Sequence, residues 1–286
     1  MTIVADSGST KTTWIEVESG NKIVTEGLNP HFTNDEAFLA TCDYVRQQFS
    51  FLISQFSIFF YGAGCGNKGQ QRRVQKLLAS GFNVDNVDVE TDMLGACRAV
   101  SAGKESLVAI LGTGSNACFF DGEKIIYQPI STGYILGDKG SANHVGRIML
   151  DEYLTHSAMP LKTRKLFHDT FRMSDAQFID AVYHQPNPNR FLASLAPFAV
   201  ENKEDDYCYG TIWGALLDFH ADTLVPITWK VHRKNCTLNI IGGFAKAIES
   251  IIDQFFHEEG INIEIGNVEA DPIDGLREYH KTHNTI

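Results

Sequence analysis

The chain has 286 residues, 43% of them hydrophobic, with a formal net charge of −11. That length carries two ordinary domains or one large one. The negative charge argues against non-specific nucleic-acid binding and against an anionic membrane surface, but not against a small anion held by backbone N–H groups and a divalent cation.

The opening residues, "MTIVADSGS", enter a strand pattern at once, with no charged and apolar leader before it. No apolar run reaches the roughly 18 residues that cross a bilayer. The six cysteines, at 42, 65, 97, 118, 208 and 236, form no C-x-x-C pair and no zinc-type spacing. They read as buried free thiols of a reducing compartment. The expectation is a soluble cytoplasmic protein with no membrane and no nucleic-acid partner, and with enough apolar surface for a homodimer.

Residues 3–5 read as a strand and "TTWIEVES" as its alternating partner, joined by a Gly-Ser-Thr-Lys turn. "SGNKIV" gives the next turn and strand. "NDEAFLATCDYVRQQF" has helical spacing with Asn34 as N-cap. "SIFFYGAGC" suits a buried strand. "KGQQRRVQKLLASGF" reads as a helix closed by Gly81. "VDVETD" is a strand, and "MLGACRAVSAG" a helix ending at Gly103. The opening pattern then returns: "SLVAILGTGSNACFFDGEKII" again runs strand, glycine turn, strand, turn, strand, and "DGEKII" matches "SGNKIV" in type. This reads as an internal duplication. Helical segments follow ("SANHVGRIMLDEYLTH" after an N-cap at Ser141, "SDAQFIDAVYH", "NRFLASLAPFAVEN", "CYGTIWGALLDFHADTLVPITWKV"), then the strand "CTLNIIGGF" and the helix "AKAIESIIDQFFHEEG". Two domains are expected, 1–103 and 104–286, joined by a tight hinge near Gly103. The second carries helical insertions, and its last helix has the option of packing back on the first.

The two glycine turns are Asp6-Ser7-Gly8-Ser9-Thr10-Lys11-Thr12 and Gly112-Thr113-Gly114-Ser115-Asn116. Glycines let several N–H groups converge on one anion, and hydroxyls add donors. Neither turn is a Walker A loop or a Rossmann fingerprint. Taken singly, each reads equally well as a tight hairpin; as a pair they suggest a phosphate chain gripped from two sides. A carboxylate at the lip of such a turn suits Mg²⁺, which takes one or two carboxylates plus phosphate oxygens. Asp6 would then face the metal, and its other reading is an Asx-type turn. Asp92 follows a strand and precedes a helix, so it reads as an N-cap or as a base for a substrate hydroxyl. Asp138 could bond ligand hydroxyls. Gly242-Gly243, between strand and helix, admits a flat ring or a packed turn. Asn29 in "GLNPHF" reads as an Asn-Pro turn or as a polar contact.

The ordered set Asp6 to Lys11, Asp92, "GTGSN", "GDKGSA" at 137–142 and "GG" at 242–243 resembles N-acetylglucosamine kinases. More broadly it resembles the BadF/BadG/BcrA/BcrD-type ATPase family of the actin–hexokinase superfamily, over essentially the whole chain. The resemblance implies an α/β fold of two ribonuclease-H-like domains, a duplicated actin/hexokinase-type arrangement around an interdomain cleft. It implies ATP on Gly8, Ser9, Thr10, Lys11, Thr12, Gly112, Thr113, Gly114 and Ser115, with Gly242 and Gly243 at the adenosine. It implies Mg²⁺ at Asp6, Asp92 as the base, and a small amino sugar contacted by Asn29, Asn116, Gly133 and Asp138. "DSGSTKT" departs from the consecutive glycines that relatives often carry. The activity implied is phosphoryl transfer from ATP to the 6-hydroxyl of N-acetylglucosamine or a related sugar. Its alternatives are an ATPase that activates a partner enzyme by conformational change, and a sugar sensor without catalysis. The absence of a cluster-binding cysteine motif counts against the activator.

Overall fold

The computed structural model describes residues 1–49, 56–233 and 235–283. It divides into two compact units: Met1–Glu105, Gly122–Lys124 and Asp271–Ile286 form one, and Ser106–Asp121 with Ile125–Ala270 the other.

In unit 1, β1 (Thr2–Ser7), β2 (Lys11–Glu16) and β3 (Lys22–Glu26) form an antiparallel meander. Two parallel strands, β4 (Ser57–Gly62) and β5 (Val87–Thr91), extend it on the β1 side, giving the order β3-β2-β1-β4-β5. The central strand is apolar on both faces because both are covered. On one face α1 (Asp35–Gln48) and α2 (Lys68–Phe82) pack over Ile3, Trp14 and Phe60. On the other, Val4, Ile15, Val17 and Tyr61 meet Ile273 and Leu276 of the C-terminal helix, Ile273–His283. α3 (Asp92–Val100) packs beside that helix.

Asn34 caps α1, accepting from the Ala37 N–H at 2.9 Å. The expected closure of α2 by Gly81 is corrected. The cap is Asn83, left-handed at φ 55°. Gly81 lies inside the helix, where a Cβ would stand 2.6 Å from Cys42 Cβ, so its smallness serves the close packing of α1 on α2. α3 likewise ends at Val100 rather than Gly103.

Unit 2 repeats the strand plan. β6 (Ser106–Leu111), β7 (Ser115–Phe120) and β8 (Ile125–Tyr127) form the meander. β9 (Cys236–Ile241) and β10 (Ile263–Glu269) are parallel additions, in the order β10-β9-β6-β7-β8. Read from the other edge, this is the order of unit 1. The fold is a duplicated ribonuclease-H-like α/β arrangement.

Between β8 and β9 lie α4 (Gly133–Leu136), α5 (Ala142–Thr155), α6 (Leu161–Phe171), α7 (Asp175–Tyr183), α8 (Pro188–Ala193), α9 (Ala196–Glu201), α10 (Asp206–Phe219) and α11 (Val225–Val231). Ser141 caps α5. The single helix expected over 189–202 is two: Pro197, with no N–H to donate, sits in the first turn of α9. A π-helical turn at His220–Leu224 joins α10 to α11 just before Pro226, which has no N–H to donate. α12 (Gly243–Ala247) and α13 (Glu249–Glu258) connect β9 to β10. Among the described residues no helix is long and apolar enough to cross a membrane.

Candidate functional site

Parallel strands carry their ligand-facing loops at their carboxyl ends. In unit 1 the ends of β1, β4 and β5 stand side by side, with Ser7 opposite Gly62 and Gly62 opposite Thr91. Asp6 and Asp92 therefore share one sheet edge. The turn after β1 closes with the Gly8 N–H donating to the Lys11 carbonyl at 2.9 Å. Among the described residues the N–H groups of Ser9 and Thr10 have no hydrogen-bond acceptor. The turn is seated on Gly27, where a Cβ would fall 2.5 Å from the Gly8 carbonyl oxygen. Its base is tied inward: Ser7 Oγ and Thr12 Oγ1 are 2.8 Å apart, both accept from the Leu28 N–H, and Thr12 Oγ1 donates to the Glu26 carbonyl. The Thr12 hydroxyl is thus spent on the shape of the turn.

Asp6 is half-buried, and among the described residues its carboxylate receives no hydrogen bond. Burial raises its carboxyl well above the usual value, and the charges of Asp271 and Asp92 push the same way against Lys11. A bare carboxylate in this setting fits a hard cation. Asp92 is not the helix cap: Thr91 is, accepting from the Leu94 N–H at 3.1 Å. Asp92 opens α3 and accepts the Met93 N–H through Oδ1, at 2.9 Å. Burial raises its carboxyl as well, opposed by the N–H groups of Met93 and of Asp92 itself.

Asn29 is buried, and both ends of its amide are engaged. Oδ1 accepts the His31 N–H and Nδ2 donates to Ser9 Oγ, each at 3.0 Å. Asn29 thereby ties its own loop to the first turn. Gly64 approaches it so closely that a Cβ would lie 2.4 Å from Oδ1. Arg73 of α2 clamps the same loop, donating to the Pro30 carbonyl at 2.6 Å and the Thr33 carbonyl at 2.9 Å while pairing with Asp35.

In unit 2 the turn Gly112–Asn116 follows β6. The Ala142 and Asn143 N–H groups donate to the Gly112 and Thr113 carbonyls at 3.0 and 3.1 Å. Asp138, left-handed at φ 53°, sets its carboxylate against Gly114, where a Cβ would meet Oδ2 at 2.7 Å. Burial raises this carboxyl; hydrogen bonds from Asn143 and the Ser115 N–H oppose that. Ser115 Oγ donates to the Lys139 carbonyl at 2.6 Å. Asn116 Oδ1 accepts the Ala117 N–H. Gly133 starts α4 at φ 70° with open space above it. Gly242 stands at φ 141°, and a Cβ there would lie 2.1 Å from the Leu111 carbonyl oxygen and 3.1 Å from the Gly112 N. The two-glycine element is therefore packed against the second turn. Gly243 is exposed, with nothing within 4 Å of a Cβ.

No family model matches the chain, and no curated protein matches it significantly. Solved structures do. A candidate N-acetylglucosamine kinase from Porphyromonas gingivalis is 31% identical, with 100% of each chain covered and a TM-score of 0.91. The chain belongs to the N-acetylglucosamine kinase-like family. A candidate N-acetylglucosamine kinase from Chromobacterium violaceum shares the fold at 16% identity, with 97% and 98% coverage and a TM-score of 0.70. A ROK family glucokinase from Streptomyces griseus, solved with glucose and AMPPNP, shares it at 13% identity, 98% coverage of each chain and a TM-score of 0.52.

In this kinase-like chain the structure brings Asp6, Asp92, Asn29 and the first turn to one edge of unit 1. It brings the second turn, Asp138 and Gly242-Gly243 to one edge of unit 2. Three residues beside these sites were not legible as such. Asn143 has its Nδ2 on the Thr113 carbonyl at 2.6 Å and on Asp138 Oδ2 at 3.0 Å. Arg73 grips the Asn29 loop from a helix more than one element away. Asp271 accepts from Lys11 Nζ at 2.6 Å. Of the three, only Asp271 carried a local signal, an Asp-Pro pair of the N-cap and first-turn kind.

Proposed function

We propose that this protein is an ATP-dependent amino-sugar kinase, a phosphotransferase with an alcohol group as acceptor, acting on the 6-hydroxyl of N-acetylglucosamine or a close relative. The observation that carries the reading is in unit 1. Among the described residues, a carboxylate without hydrogen-bond donors (Asp6) stands beside a turn with two unpartnered N–H groups and shares its sheet edge with a second carboxylate (Asp92). A metal site, an anion cradle and a base are the parts that phosphoryl transfer uses, since the step is largely positioning and charge neutralisation.

The Ser9 and Thr10 N–H groups and Lys11 hold phosphate oxygens, with Thr12 shaping the turn from beneath. Mg²⁺, held through Asp6, would neutralise phosphate charge. Asp92 accepts the proton of the attacking hydroxyl. Its Oδ2 suits that role, because Oδ1 is fixed by the Met93 N–H. Gly112 to Ser115 supply a second phosphate turn, braced by Asp138 and Asn143, and the open face over Gly243 admits the adenosine. The sugar contacts assigned are Asn29 in unit 1 and Asn116, Gly133 and Asp138 in unit 2. In Asn29 one amide hydrogen and one lone pair remain for that contact.

The test is ADP release by the purified chain against N-acetylglucosamine, glucosamine, N-acetylmannosamine and N-acetylmuramic acid, with the phosphorylated position read by NMR. Sugar-dependent turnover with phosphate on O6 is expected. Fast hydrolysis of ATP that no amino sugar stimulates would replace the kinase with a partner-activating ATPase.

A further inference from the structure

Lys11 and Asp271 are 260 residues apart in the chain, yet Lys11 Nζ lies 2.6 Å from Asp271 Oδ2. The same Oδ2 accepts from Thr13 Oγ1 at 3.2 Å, and Oδ1 accepts the Ile273 N–H at 3.0 Å where the C-terminal helix begins. The carboxylate is therefore gripped at both oxygens before Lys11 is counted. The helix behind it is anchored too. Arg277 Nε donates to the Val17 carbonyl at 2.8 Å, Tyr61 Oη and His280 Nε2 are 2.8 Å apart, and Ile273 and Leu276 are buried. Lys11, by contrast, is a flexible stem with about half its side chain exposed. An exposed ion pair adds little to stability. Its effect here is geometric: a rigid acceptor fixes the end of a mobile donor.

We propose that Asp271 is a positioning residue for nucleotide. It holds the Lys11 ammonium at the first turn, so that the two N–H groups left over meet phosphate oxygens. The inference rests on reading that turn as a phosphate site. An ammonium has three donors, so keeping Asp271 and gaining phosphate are compatible. Holding the side chain in advance removes part of the ordering that binding would otherwise require.

The sign of one substitution separates this role from plain electrostatics. Removing a negative charge beside a polyanion tightens binding if charge is all that matters. Removing the guide for Lys11 weakens it. The experiment is calorimetric titration of the full chain with ADP and with a non-hydrolysable ATP analogue, without sugar, with and without Mg²⁺. The proteins are wild type, Asp271→Asn, Lys11→Met and the double variant. Asp271→Asn keeps an acceptor for the Ile273 N–H; Asp271→Ser, which also keeps a helix-capping oxygen, replaces it in the cycle if the amide does not fold. We expect Asp271→Asn to weaken binding roughly three- to tenfold with or without Mg²⁺, and to add nothing in the Lys11→Met background. Equal or tighter binding by Asp271→Asn, or losses that multiply in the double variant, would overturn the role. A loss seen only with Mg²⁺ would make Asp271 a metal ligand instead, and also overturns it. Should the nucleotides bind in the expected pattern while no amino sugar is phosphorylated, the kinase reading fails and this one stands. Phosphorylation together with a multiplicative cycle sinks this one alone. A wild type that binds neither nucleotide overturns both.

Discussion

A half-buried carboxylate that receives no hydrogen bond among the described residues and feels the charges of Asp271 and Asp92 opposes folding whenever it is ionised. The carboxyl of Asp6 is raised in the folded chain, so its favourable contribution is complete below the unfolded-state value and is lost as pH rises through the folded one. Without Mg²⁺ or nucleotide, Asp6→Asn should therefore raise the Tm at neutral pH by on the order of a few °C, with the gain vanishing as pH falls below the ordinary carboxylate range. Calorimetric scans at several pH values check this, and a Tm that does not move at pH 7 would mean that the carboxylate is already compensated. The same variant should lose its response to added Mg²⁺. At Asp92 the raised carboxyl has a kinetic consequence: the rate should fall on acidification earlier than an ordinary aspartate would allow. Asp92→Asn should lower kcat by roughly 10²–10⁴-fold while nucleotide still binds, by rapid-quench and titration respectively. Asn29 was legible as a polar residue fixed by Pro30, but not as the partner of Ser9, because nothing local links positions 9 and 29. Since its Nδ2 steadies the first turn, Asn29→Ala should raise KM for both sugar and ATP, where a pure sugar contact would raise only the former.

At the scale of the element, the meanders were legible because alternation and turn glycines are local signals, and the caps at Asn34 and Ser141 because a side chain three residues from its target follows a simple rule. Gly81 misled because a glycine near a helix end serves either as a stop or as a contact, and only the partner helix decides. β10 and the C-terminal helix escaped. Gly266 interrupts the alternation where the pairing shifts register between Ile265 and Val268, and the Asp271-Pro272 start is short. The pair Gly242 and Gly243 reads alike in sequence, yet the structure gives them different duties. Gly242→Ala has a φ of 141° and a backbone oxygen 2.1 Å from the new carbon. It should destabilise unit 2 by about 1–3 kcal/mol or more in denaturant unfolding. Gly243→Ala meets nothing, so the fold should keep its stability, and a raised KM for ATP would mark its face as the adenosine side. A variant at 243 with unaltered ATP kinetics would remove that residue from the site.

For the whole molecule, the duplicated strand order was legible from two matching turns, while membership of the C-terminal helix depends on contacts made across more than 250 residues, which no local signal carries. Removing residues 271–286 should uncover Val4, Ile15, Val17 and Tyr61, the face that Ile273 and Leu276 bury. Such a truncated chain should bind a hydrophobic dye and lose nucleotide binding, and retention of both a cooperative transition and nucleotide affinity would show that the helix is dispensable. The described cysteines are all free, and five of the six are buried. Reductant should therefore leave the melting curve unchanged, as scans with and without dithiothreitol would show.

Unit 1 begins with the first strand and is finished by the last helix, with all of unit 2 strung between them. On the ribosome this arrangement imposes a schedule. The strand bearing Asp6 and the strand that leads into Asp92 emerge early but must wait, with one apolar face bare, until some 170 further residues have been translated. Residues 106–270 are contiguous and carry no such delay, so the later half can mature first. A message cut short near its 3′ end would yield no half-working product, only a polypeptide with a sticky, unfinished front for chaperones and proteases to find.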